Sequence, residues 1–311
     1  MRRDLVKFKG KVLACLFSAL FLFCLFNVQQ NAFANGGVQP LVETGWLADN
    51  LKNVSVIHVA SFAPQPEQDF KSKHISGAVS MSVGDVMGTL GDGSSKPDAA
   101  AFEAVMNKMG INNDSHVVVY GSGKDDGLVT TAYWLMKYFG HNKVSYLNGG
   151  LTKWIKEKHE TTNEVKNIIP SKYKASPNES MFATADDVLK KIGNPKSVIV
   201  DVRSSDEYKG IKSPVETKIM GHIKGAVNLD YATTMNEDGT FKSLSDLKAS
   251  YEAQGVTRDK EAIVYCLGGV RAAHTVFVLK YLLGYPDVKN YVAAWGEWGN
   301  KLDTAKYPVE K

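Results

Sequence analysis

The sequence predicts an α/β protein made of two copies of one unit, each a doubly wound parallel sheet with helices on both faces. Three observations carry that expectation. The first is repetition. His74-Ile75-Ser76-Gly77-Ala78-Val79 returns as His222-Ile223-Lys224-Gly225-Ala226-Val227, and Val117-Val118-Val119-Tyr120 returns as Ala262-Ile263-Val264-Tyr265. Tyr138-Phe139-Gly140, then Val144 and Trp154, are matched at identical spacing by Leu282-Leu283-Gly284, Val288 and Trp298. A period of about 145 residues is too long for a solenoid and suits a duplicated globular domain. The second is alternation: β-branched runs such as Val198–Val202 are followed by amphipathic stretches such as Asp246–Gln254. The third is that several runs are apolar throughout, Val117–Tyr120 among them, as strands buried on both faces of a parallel sheet must be.

In chain order, the first segment reads as a secretory leader. Arg2, Arg3, Lys7, Lys9 and Lys11 form a basic start. The apolar run Val12–Phe26 is shorter than the roughly 20 residues of a membrane span, and Ala32-Phe33-Ala34 gives the small-x-small cleavage pattern. Cleavage after Ala34, with Asn35 as the mature start, predicts an exported, periplasmic chain with no stable membrane insertion; an uncleaved anchor, or lipid attachment at Cys15 or Cys24, is the alternative. Neither cysteine sits in a good lipid-attachment context, since no apolar run precedes Cys15 and bulky Phe23 precedes Cys24. Residues 35–160 then form the first unit, polar residues 161–182 with Pro170 and Pro177 a linker, and residues 183–311 the second unit.

Without residues 1–34 the chain holds 32 basic and 32 acidic side chains. Such a balance generates no global field for nucleic acid or anionic lipid, and no Lys/Arg cluster is interleaved with aromatics, which argues against nucleic-acid binding. The seven histidines show no metal-ligand spacing.

Of the three cysteines, only Cys266 lies outside the leader, so no internal disulfide can form, although an exported chain sits where disulfides normally persist. A lone cysteine is most often a small buried hydrophobe. The neighbours of Cys266 argue otherwise. It follows the strand Ala262–Tyr265, and active sites of parallel α/β sheets lie beyond the carboxyl ends of strands. After it come Leu267, Gly268, Gly269, Val270 and Arg271, leading into a helix expected over Ala272–Leu283. Unpaired amides and the positive helix end favour a thiolate there. Gly268 and Gly269 let the backbone curl into an anion nest, and Arg271 adds a fork suited to sulfonate or phosphate oxygens.

On these residues the chain resembles the tandem-domain rhodaneses, which are thiosulfate or mercaptopyruvate sulfurtransferases. The resemblance spans nearly all of residues 35–311 and rests on CLGGVR at 266–271, both HIxGA motifs, DVRSSDEYKG at 201–210 and AAWGEWGN at 293–300. It implies two doubly wound domains with only the second catalytic; the counterpart of Cys266 in the first is Gly121, in the loop Gly121–Gly127. It also implies sulfane sulfur transfer through a Cys266 persulfide, from thiosulfate or a related donor to cyanide, a thiol or a protein acceptor, with no cofactor. Leu267, Gly268, Gly269, Val270 and Arg271 would line the substrate. Asp201 and Arg203 would either touch substrate or form an ion pair bracing the loop. Phe62 either lines the pocket from the first domain or packs, Trp295 reads as core or as a wall of the site, and His222 as a buried structural residue.

Some positions depart from the family's patterns. Glu207 stands before Tyr208 where mercaptopyruvate enzymes tend to carry arginine, Leu267 and Gly268 are uncharged where thiosulfate enzymes often have basic residues, and Val292-Ala293-Ala294-Trp295 replaces the common DGSW. Thiosulfate is therefore the expected donor. Related phosphatases resemble C-x5-R, one residue longer than Cys266–Arg271, so phosphate is the weaker alternative. A persulfide carrier with little turnover is another.

Overall fold

The apolar runs become parallel strands in the computed structural model, which describes residues 38–63, 66–94, 96–123 and 127–311. The expected leader, with Cys15 and Cys24, lies outside the described residues. In the first half the strands are β1 (Leu41–Val42), β2 (Ser55–Val59), β3 (His74–Ile75), β4 (Val79–Met81), β5 (Val117–Tyr120), β6 (Val144–Leu147) and β7 (Thr161–Thr162). Five of them make a parallel sheet in the order β1-β6-β5-β2-β4, and β3 pairs antiparallel with β7.

The second half repeats this plan with β8 (Ser197–Asp201), β9 (His222–Ile223), β10 (Val227–Asn228), β11 (Glu261–Tyr265), β12 (Val288–Asn290) and β13 (Val309–Glu310). The order is β10-β8-β11-β12, all parallel, with β9 and β13 antiparallel. A parallel bridge from Phe182 to Asn290 fills the place that β1 takes in the first sheet. Crossovers joining parallel strands must leave the sheet plane, which is why helices cover both faces.

Alternation along each strand sends neighbouring residues to different cores. Val117 and Val119 of β5, and Ala262 and Val264 of β11, join one large cluster shared by both halves; Cys266 belongs to that same cluster. Val118 and Tyr120 face an outer core of the first half, and Ile263 and Tyr265 an outer core of the second. The nucleophile candidate thus faces the seam between the halves.

Two helices meet at that seam. The helix Gly127–Tyr138 is buried along its whole length except Lys137, as a helix apolar on every side must be. It packs against the helix Val270–Val276, with the Tyr133 ring edge-on to Phe277 at 4.8 Å. The expected helix Ala272–Leu283 starts two residues earlier and widens into a π turn over Phe277–Leu282.

Residues 161–182, expected as a linker, are held along their course. Thr161–Thr162 pairs with β3, and Tyr173 is buried edge-on to Phe102. The Ser176 amide donates to the Phe139 carbonyl.

Candidate active site

The register of the second sheet sets Asp201, at the end of β8, beside Tyr265, at the end of β11. Cys266 is the next residue, buried and free of any disulfide. Its loop is fixed by its carbonyls. The Trp295 amide donates to the Cys266 carbonyl at 3.0 Å, the Gly296 amide to that of Leu267 at 2.8 Å, and Asn290 Nδ2 to that of Gly269 at 3.1 Å. The amides of Leu267, Gly268, Gly269, Val270 and Arg271 have no acceptor among the described residues. With carbonyls tied back and amides free, the loop has a net donor character.

The two glycines differ in purpose. Gly269 has φ +80°, and a Cβ there would sit 2.9 Å from Val292 Cγ1, so only glycine fits. Gly268 has ordinary backbone geometry and nothing within 4 Å of an added Cβ, so it opens the mouth of the loop rather than permitting its curl. Leu267 packs toward the outer core, and Val270 lies against Gly127 of the first half, whose added Cβ would be 3.1 Å from Val270 Cγ1.

Beneath the loop, Asp201 and Arg203 form a closed pair. Arg203 Nε donates to both Asp201 carboxylate oxygens at 3.0 and 3.1 Å, and Nη2 to Oδ2 at 2.6 Å and to the Gly221 carbonyl at 2.7 Å. The Tyr265 hydroxyl donates to Asp201 Oδ2 at 2.7 Å while accepting the Ile223 amide. The guanidinium lies 4.5 Å from the Trp295 ring centre. Burial alone would weaken the Arg203 cation, and Asp201 more than offsets it, leaving its pKa raised. Asp201 and Arg203 are 0% and 2% exposed, so of the two readings the bracing ion pair is the one the fold forms, and neither side chain is open to a substrate. Trp295 is buried in the same brace, and its neighbour Ala294 has φ +52°, costly for a residue with a Cβ.

Arg271 also departs from expectation. Its fork is filled: Nη1 donates to Glu207 Oε2 at 2.7 Å and Nη2 to Oε1 at 2.9 Å. Glu207 is held in turn by a capping box, with Oε2 accepting the Ser204 amide and hydroxyl at 3.2 and 3.0 Å. Burial opposes both charges; the pairing outweighs it, lowering the Glu207 pKa and raising that of Arg271, to which the field of Cys266 also contributes. The motif Ser204-x-x-Glu207 was the sequence signal for a fixed Glu207, but its partner 64 residues away was not readable. Phe62 is exposed, and His222 is buried, stacked on Tyr208 with Nδ1 2.9 Å from the Tyr208 carbonyl. Among the described residues no three His, Cys, Asp or Glu side chains gather as a metal site.

A buried cysteine beyond a parallel strand, followed by a loop of unpaired amides, is an arrangement suited to cysteine-dependent group transfer on a duplicated α/β architecture. Residues 43–157 and 184–301 each match the Rhodanese-like domain. The chain is 38% identical over 283 residues to a protein of Saccharopolyspora erythraea named "putative thiosulfate sulfurtransferase", covering 88% of this chain and 96% of that one. It is 45% identical over 209 residues to the sulfur carrier protein TtuD of Thermus thermophilus, covering 64% and 73%. The crystal structure of the 3-mercaptopyruvate sulfurtransferase SseA from Escherichia coli superposes with a TM-score of 0.70 at 26% identity over 83% of this chain and 99% of that one. The chain belongs to the rhodanese family, and it is a sulfurtransferase.

Proposed function

We propose that thiosulfate is the donor and that Cys266 carries its outer sulfur as a persulfide. The Cys266 thiolate attacks the sulfane sulfur; the bond to the sulfonate sulfur breaks, and its electron pair leaves with sulfite. An acceptor nucleophile, cyanide or a thiolate, then attacks the outer sulfur of the persulfide and restores the thiolate. The observation that carries this reading is the loop itself, with five amides lacking acceptors among the described residues directly after Cys266 and the carbonyls of Cys266, Leu267 and Gly269 held elsewhere. Those amides suit sulfonate oxygens and a persulfide anion. The engagement of Arg271 by Glu207 leaves that guanidinium committed and disfavours a donor read through its carboxylate, such as mercaptopyruvate.

The test is intact mass after incubation with thiosulfate, with cyanide turnover measured alongside and mercaptopyruvate and a phosphate ester as competing substrates. One added sulfur and thiocyanate release, both lost in Cys266→Ser, are expected. A mass gain without turnover would indicate a carrier serving a protein acceptor, and phosphate release without added sulfur would overturn the reading. We also propose export with cleavage after Ala34, on the strength of the basic start, apolar run and Ala32-Phe33-Ala34. A mature N-terminus at Asn35 in the exported fraction is expected, and an intact Met1 or lipid-bearing product would reject it.

A further inference from the structure

Among the described residues, three cations of the second half are each paired with a carboxylate. Arg203 is paired with Asp201, and exposed Lys212 lies 3.0 Å from Asp206. Arg271, the one cation in the loop's own sequence, is paired bidentately with Glu207. Glu207 has little freedom to swing away. It is 6% exposed, both of its oxygens are engaged by Arg271, and one of them also takes the amide and hydroxyl of Ser204. Its field reaches Arg203 and Lys212 as well. A donor entering this loop therefore meets amide dipoles and no uncompensated side-chain cation from these three pairs.

Resting on the reading of thiosulfate as donor, we propose that Glu207 sets donor specificity by neutralising Arg271, so that the Cys266 loop grips sulfane donors by its amides and discriminates weakly between donors of different charge. The physical reason is the distance dependence of the two kinds of contact. Amide dipoles act at hydrogen-bonding range and serve any donor that places an oxygen or sulfur in the loop. An unneutralised guanidinium near the thiolate acts over a longer range and favours a dianion over a monoanion. A loop built to capture thiosulfate by charge would leave Arg271 free; here a buried carboxylate, fixed by its own helix cap, cancels it. The arrangement suits a protein that must accept sulfur from donors of low charge, organic persulfides among them, as well as from thiosulfate.

The experiment compares two donors that share a leaving bond and differ in charge: thiosulfate, a dianion, and benzenethiosulfonate, a monoanion. In Glu207→Gln, which keeps the shape and the cap, the ratio of kcat/KM for thiosulfate to that for benzenethiosulfonate rises about fivefold, and the thiosulfate KM becomes steeply salt-dependent. In Arg271→Gln, which leaves Glu207 without its cation, the ratio moves the opposite way. In the double variant it returns to near the wild-type value. A brace without an electrostatic role would change both donors in parallel and leave the salt dependence flat, and that result overturns the proposal. The control is persulfide formation from thiosulfate by the wild-type chain. Its absence would reject thiosulfate as donor, whereas its presence with an unmoved ratio would reject only the role of Glu207.

Discussion

The two halves of the molecule keep the same frame and differ in what the frame holds. In both, a tyrosine ends the central strand and accepts a backbone amide from the HI pair, Ile75 to Tyr120 and Ile223 to Tyr265, each at 3.1 Å. In both, the residues after that tyrosine are pinned through their carbonyls by the turn after the next strand: Leu151 and Thr152 donate to Gly121 and Ser122, as Trp295 and Gly296 donate to Cys266 and Leu267. The residue just before the donating pair is left-handed in both, Gly150 at φ +53° in one half and Ala294 at φ +52° in the other, and in the first half Gly149 is left-handed as well. What changes is the chemistry. Gly121 stands for Cys266, and His58 and Ala60 stand where Asp201 and Arg203 form the buried brace. The difference teaches that the pinning of the strand end belongs to the scaffold, while the cysteine and the ionic pair beside it belong to one half only.

The sharpest way to break the comparison is to move the thiol. Cys266→Ser abolishes sulfur transfer, and adding Gly121→Cys to it does not restore transfer, as measured by thiocyanate release; recovered turnover would show that the frame alone suffices. Next in size is the brace. Asp201→Ala leaves Arg203 charged and buried without its carboxylate, a loss of about 3–5 kcal/mol in urea unfolding, against about 1–2 kcal/mol for His58→Ala at the matching place. Equal losses would deny the brace its special weight.

Acid tests both halves together, since one of the buried histidines in each, His141 or His274, has its pKa lowered by burial to about 4. Both are neutral when folded and titrate near 6.5 when unfolded, so their contribution is complete above about pH 6.5 and is lost as pH falls toward 4. The expected slope is about 1.4 kcal/mol per pH unit for each histidine, and His274→Gln should halve the combined slope. A smaller contrast lies within the loop. Gly269→Ala costs about 2 kcal/mol, from its φ of +80° and the contact with Val292, whereas Gly268→Ala stays within about 0.5 kcal/mol. Thermal midpoints of the two variants, and thiosulfate turnover in the first, check this.

Much of this was legible in the sequence because it is local or repeated. Apolar runs, the HIxGA pairs and the glycine-to-tryptophan spacings disclosed the duplication and the parallel sheets, and the strand-then-glycine context singled out Cys266. What escaped depends on register and on contacts distant in sequence. Asp201 meets Tyr265 because β8 and β11 pair in one register, and Arg271 meets Glu207 across 64 residues. Arg271 consequently reads as an open cation in the sequence and is a closed pair in the fold. Ala294 gave no signal at all, because an alanine in the left-handed region follows from the turn it was built into rather than from its own preference.

The seam between the halves carries a consequence of its own. Gly93, in the Asp92-Gly93-Ser94 turn of the first half, is pressed so closely on the second that an added Cβ would lie 2.2 Å from the Ala293 nitrogen. Gly239, in the Asp238-Gly239-Thr240 turn of the second half, lies as tightly on Gly123, and the Phe241 amide donates to Asn148 Oδ1 at 3.1 Å. Each half thus lends the same turn to the other's strand-end loops, the mutual exchange by which identical subunits meet across a two-fold axis. The chain has the form of a homodimer written into one polypeptide. In such a molecule a half without a cysteine keeps its place, because the loops of the other half are packed on its turn.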